Sequence, residues 1–274
     1  MMMRDMRAEV MVQVRRPANW LLLGIAVALT TTFAYVVPYA GYRSESDATP
    51  GTRVLADLLP EAFHGSALDG LPVFVGALAL IFGVLVTGSE YTWQTWKTLL
   101  VQQPSRMAVF AGKVCTLALG ALVLLVALLA VTAGASFAVA TIEDATWTWP
   151  AVRDVLAALA GGWLIAFMWA MLGMALAIVM RGVALPVGIG LVWMLAVQNL
   201  ITALAAPLLD WVDAAQEWLP GPAAGSLVAT LGGREGTPGV AELSSQGQSI
   251  AVVVGYLALF SIVAGAFLWR RDLT

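Results

Sequence analysis

Apolar positions along this chain come in long unbroken runs rather than in alternation. A helix rises 1.5 Å per residue, so about 20 apolar residues cover the hydrocarbon core of a bilayer. Six runs reach that length: 20–40, 71–89, 108–140, 155–180, 183–201 and 250–269. They predict an all-α integral membrane fold of six transmembrane helices, spans 1 to 6. Span 3 is longer than a bilayer needs, and Lys113 is expected to mark its lower edge by reaching back to the interface. Spans 4 and 5 are separated only by Arg181 and Gly182, which predicts a very tight turn.

The polar intervals predict the rest. Over residues 1–16, Met3, Met6, Val10 and Val14 share one helical face, with Arg4, Asp5, Glu9, Arg15 and Arg16 mostly opposite. That pattern fits an amphipathic helix lying in the interface, or else a solvated, frayed terminus. It does not resemble a signal peptide, because the apolar run begins only near Trp20 and is too long. Residues 41–70, with Pro50-Gly51, Pro60 and five acids, read as a polar loop carrying an exposed His64. Residues 143–153 form a short acidic loop with Trp147 and Trp149. The 202–249 segment holds apolar pieces too short to cross, broken by Pro207, Pro220, Pro222 and Gly232-Gly233. One or two short helices re-entering the outer leaflet beside spans 5 and 6 fit it, with Trp218 to Pro220 at the turn; so does a surface loop.

Between spans 2 and 3, residues 92–103 carry no Gly or Pro and make one short helix of about 18 Å. Pro104 stops it, and Ser105 is placed to cap the next helix. Trp93, Trp96, Leu99 and Leu100 fall on one face, with Lys97 beside them and Arg106 just past the proline. Such a helix is either a rigid handle for something outside the bilayer or an interfacial helix whose tryptophans sit at headgroup level.

Composition sharpens this picture. The chain is 60% hydrophobic and 11% charged, against about 25% charged in a soluble domain. Ten of its 14 basic residues lie at the two termini, over 90–113 and at Arg181; the other side holds Arg43, Arg53, Arg153 and Arg234. Thirteen of the 17 acids lie with those four. By the positive-inside rule both termini and the 92–103 helix are cytoplasmic. One histidine and Cys115 alone exclude a usual zinc site and an internal disulfide. No charge sits in the middle of a span, which argues against an ion-coupled carrier. No phosphate-cradling Gly-x-x-x-x-Gly-Lys motif exists, so the chain itself is expected to bind no nucleotide or other cofactor.

The ordered set Ser89-Glu90-Tyr91, Thr95, Leu99-Leu100, Pro104-Ser105-Arg106, Lys113 and the terminal Trp269-Arg270-Arg271-Asp272 resembles the membrane subunits of bacterial ABC-2 (type V) exporters. The family usually has glycine before the threonine; Gln94 stands here and favours a more continuous helix. The resemblance implies a non-catalytic permease in the bacterial plasma membrane. Its partners would be a second copy or a related permease, two cytoplasmic ABC ATPases holding ATP and magnesium, and membrane lipid, with no nucleic acid. It would export an amphipathic or hydrophobic compound. The 92–103 stretch becomes a coupling helix, with Trp93, Trp96, Lys97, Leu99, Leu100, Gln103 and Arg106 toward the ATPase and Glu90, Pro104 and Ser105 anchoring it.

Two further expectations concern single residues. Glu90 either pairs with a basic residue such as Arg106 or Arg16 or is a solvated interfacial acid. Gln198 and Asn199 either line the substrate path or dimer seam or reach outer-leaflet water. Gly24, Gly120, Gly134, Gly188 and Gly190 are expected to permit close helix approach, and Met168, Trp169 and Met171 to pack. The competing functional readings are a transporter working without an ATPase and a structural subunit of a larger membrane complex.

Overall fold

The computed structural model describes residues 2–43, 55–92, 106–202 and 209–270, and among these the chain is helical with no strand. Helix α1 spans Met2–Arg15. It ends because Arg16 precedes a proline and takes extended backbone (φ −82°, ψ 116°); Pro17, with its φ already set for a helix, opens α2. Helix α2 runs Pro17–Arg43, with a π-helical stretch over Thr32–Val36.

The longer helices that follow are α4 (Phe74–Thr92), α5 (Arg106–Ile142), α6 (Val152–Met180) and α10 (Gln246–Arg270), after the short α3 (Phe63–Leu68). Between α6 and α10 lie α7 (Ala184–Leu200), α8 (Asp210–Gln216) and α9 (Pro220–Thr230). Helix α6 stops at Arg181, whose φ of 54° is left-handed, and Gly182 completes the turn.

Five described helices, α2, α4, α5, α6 and α10, are long and apolar enough to cross a membrane. Helix α7, where a span was expected over 183–201, is apolar but shorter and carries a second π-helical stretch over Val192–Val197. Six spans were expected; among the described residues five helices are long and apolar enough.

The core is built around α6, which packs on α4, α5 and α10. Its stretch from Ile165 to Met171 is buried, with Trp169 at 0% exposure. The closest approach is reciprocal. A Cβ on Gly83 of α4 would lie 1.9 Å from the Ala170 carbonyl oxygen, and one on Gly173 of α6 would lie 2.1 Å from that of Leu80. The two backbones touch because neither residue has a side chain. The glycines singled out from sequence behave differently. Gly24, Gly134 and Gly188 face open space in the protomer, and Gly120 and Gly190 meet side chains, not backbone.

The 41–70 interval is also more than a polar loop. Residues 55–62 form two 3-10 turns leading into α3, and Leu58, Phe63, Ala67 and Leu68 are buried. Phe63 and Ala67 stand four apart with Leu68 beside them, one helical face that the interspersed acids obscure. Helix α3 packs on α5 and α6 and touches α9. Asp69 Oδ1 accepts the Arg234 backbone N–H at 2.9 Å, which fastens this cap to the turn after α9. His64, expected in the open, is half-buried, with its Nε2 about 3.0 Å from a Cβ placed on Gly232.

Candidate functional site

The ends of α4 and α5 flank the predicted 92–103 handle, and they carry the most concentrated charge inside the fold. Trp93, Trp96, Lys97, Leu99, Leu100, Gln103, Pro104 and Ser105 lie outside the described residues. Glu90, near the end of α4, and Lys113, seven residues into α5, lie at the root of that stretch.

Lys113 lies about 10 Å along its helix, and the expectation was that it would reach back to the interface. Instead it is 1% exposed. Its Nζ makes a short charge-assisted hydrogen bond to Glu90 Oε1, reaches Glu9 Oε1 of α1 at 3.2 Å, and donates to the Val86 carbonyl at 3.3 Å. The reason is economic for the chain's charges: burying an ammonium is costly unless it is paired and hydrogen-bonded, and two carboxylates and a carbonyl meet that condition here. One side chain thus ties α1, α4 and α5 together.

A second link runs alongside. Arg16, at the break between α1 and α2, donates through Nη1 to Ser89 Oγ at 2.9 Å and to the Leu85 carbonyl at 3.1 Å. Of the partners suggested for Glu90, Arg16 therefore bonds the preceding residue. Arg106 Nη1 points elsewhere, to the Trp269 carbonyl at 3.4 Å near the end of α10. Gln13 Nε2 approaches Glu9 Oε1 at 3.4 Å. Lys113 and Glu9 were not assigned this role from sequence. The signal that could have found them was depth: a lysine two turns inside a span needs a counter-charge, and Glu90 is the acid near the end of the preceding span.

The outer pair separates. Gln198 is buried at 3% exposure, its side chain pressed against Gly221 in the first turn of α9. Its Nε2 finds no hydrogen-bond partner among the described residues. Asn199 is exposed and donates through Nδ2 to the Leu195 carbonyl at 2.8 Å. Both border a cavity of about 190 Å³ between α7, α9 and the 239–243 segment, with Met194 and Thr202. Among the described residues no group of three or more His, Cys, Asp or Glu could hold a metal ion.

Several apolar crossing helices and an internal ion-pair cluster at one end define a multi-pass, all-helical membrane protein. The chain belongs to the ABC-2 family of transporters: the description "ABC-2 family transporter protein" matches residues 8–197, from α1 into α7. It is accordingly an ABC transporter permease, of a family that is generally a non-catalytic membrane component and typically partners with ATPase subunits. The match includes Glu9, Glu90 and Lys113. No curated protein matches the chain.

Proposed function

We propose that this chain is the membrane-spanning half of an ATP-driven exporter that moves an amphipathic or hydrophobic compound out of the cell. A separate ATPase supplies the hydrolysis, with ATP and magnesium held there. The observation that carries the reading is the Glu9–Lys113–Glu90 cluster. It joins the two helices that bracket residues 93–105 to the interfacial α1, so force applied at that stretch reaches α4 and α5 as one unit. Residues 92–103 act as the coupling helix, presenting Trp93, Trp96, Leu99 and Leu100 to the motor, with Lys97, Gln103 and Arg106 at its rim. Pro104 and Ser105 set its exit into α5. Both termini lie in the cytoplasm of a bacterium, and the 183–201 span built on α7 makes the sixth crossing. Two permease chains, identical or related, pair across a seam, and Gln198 and Asn199 stand along the route or that seam.

Two measurements test this. Purification of the tagged chain from its host membrane should bring an ATPase with it. The Trp96→Asp and Leu100→Asp variants should keep the fold and leave ATP hydrolysis running without transport. A chain that never brings an ATPase, or variants with unchanged coupling, would remove the assignment.

A further inference from the structure

A cavity of about 230 Å³ lies between α1, α2, α4, α5 and α6. Val14 of α1, Leu23 of α2, Phe82 of α4, and Leu119 and Val123 of α5 form its walls, and Ala170 of α6 its floor. Gly120 makes the room: a Cβ there would run into the Phe82 ring at 2.4 Å.

The wall is mostly apolar; of the polar residues that border it, Asn19 keeps one buried oxygen, Oδ1, without a hydrogen-bond partner among the described residues. Asn19 Nδ2 donates to the Gln13 carbonyl at 2.9 Å and to Gln13 Oε1 at 3.0 Å, and Trp20 Nε1 donates to the Val14 carbonyl at 2.7 Å. These N–H groups are spent on the α1–α2 junction and offer nothing to an occupant. Apolar cavities of this size stay dry, so water is a poor filler.

Position identifies a better one. Val14, Trp20 and Val123 are 54%, 57% and 56% exposed, so the mouth opens on the outer surface of the protomer, beside helices apolar enough to cross a membrane. Helix α1 and the first turns of α2 mark one membrane boundary. From Thr116 to Leu124, both lining the cavity, α5 advances about 12 Å, close to the depth of one leaflet, given a hydrocarbon core of about 30 Å.

We propose that this cavity holds one hydrocarbon chain of a membrane phospholipid, drawn from the leaflet on which α1 lies. The chain completes the wall between α1 and the spans. A hydrocarbon tail could also come from a transported amphiphile. The phospholipid is favoured because the mouth opens directly onto the leaflet, and the bordering polar groups, the buried Asn19 Oδ1 apart, are bonded within the protein and select no rarer molecule. The inference does not depend on an ATPase or on transport.

The test is native mass spectrometry on the full-length chain, exchanged into nanodiscs of a single synthetic phospholipid, re-extracted and progressively delipidated. Wild type should retain that phospholipid after the remaining lipid is stripped. Val123→Trp and Leu119→Trp, each placing a large ring at the mouth from an exposed position, should cut retention about tenfold, equivalent to about 1.4 kcal/mol. Leu259→Trp, an exposed position on α10, should retain it as wild type does. No retained phospholipid in wild type would overturn the proposal. So would equal retention in both mouth variants, equal loss in Leu259→Trp, or a retained mass that is a host amphiphile instead.

Discussion

Replacing Lys113 with methionine removes the ammonium that faces both Glu9 and Glu90 while roughly keeping the volume of the side chain. At 3.2 Å, and with an effective dielectric of about 20, the Lys113–Glu9 attraction alone is about 5 kcal/mol before desolvation is subtracted. Wild type has largely offset that desolvation. In the variant Glu90, 6% exposed, keeps the cost without the partner. Removing one member of a buried pair typically costs about 3–5 kcal/mol. At about 2–4 °C per kcal/mol for a chain of this size, the unfolding midpoint should fall by on the order of 10 °C. Adding Glu90→Gln removes the carboxylate that faced Lys113, leaving Glu9, whose side chain is 17% exposed and nearer water. The double variant should therefore recover most of the loss, a coupling of about 2–3 kcal/mol. Thermal unfolding followed by tryptophan fluorescence, all variants in one detergent, measures it. A Lys113→Met midpoint within about 2 °C of wild type, or a double variant no better than the single, would refute the claim that this cluster holds α1, α4 and α5 together.

Other outcomes follow from the same geometry. Gly173→Ala or Gly83→Ala drives a methyl group into a backbone carbonyl and should destabilise by about 1–3 kcal/mol or more, read as a lower unfolding midpoint; an unchanged midpoint would mean α4 and α6 do not pack this closely. Asp69→Ala leaves the Arg234 N–H without its acceptor and should cost about 1–3 kcal/mol, with faster hydrogen exchange at Arg234 as its signature. Gln198→Leu removes a buried amide nitrogen that has no hydrogen-bond partner among the described residues, so the unfolding midpoint should hold or rise; transport should fall if Gln198 stands on the substrate route. Burial pushes the His64 pKa below its usual value, against the opposing pull of Asp154. The unfolded chain then binds the proton more readily, so the His64 contribution to stability is present above about pH 6.5 and is lost as pH falls through the lower folded value. Hydrogen-exchange protection around Gly232, corrected for the intrinsic pH dependence of exchange, should fall on acidification in wild type and fall less in His64→Gln; equal responses would count against it.

The helical membrane character was legible because apolar runs of about 20 residues have few alternative explanations. The break at Arg16-Pro17 and the stop at Arg181-Gly182 were legible too, because proline and a left-handed turn are local constraints. What escaped was set by contacts between distant segments. Nothing local to Lys113 says that Glu9, 104 residues away, comes within 3.2 Å of it. Gly83 and Gly173 look no different in sequence from Gly24 or Gly134; only the crossing of α4 over α6 makes them necessary. The cap over 55–70 was hidden by its acids: Glu61 faces outward while Leu58, Phe63 and Leu68 turn in, and Asp69 is buried on the Arg234 N–H. The burial of Gln198 against Gly221 likewise depends on where α9 folds back.

The most direct test of the whole account is flux through sealed vesicles containing this permease and its co-purified ATPase, with ATP supplied or withheld. The account predicts movement of a fluorescent amphiphile only when both proteins and hydrolysable ATP are present. Equal flux without ATP, or from vesicles holding the permease alone, would contradict it.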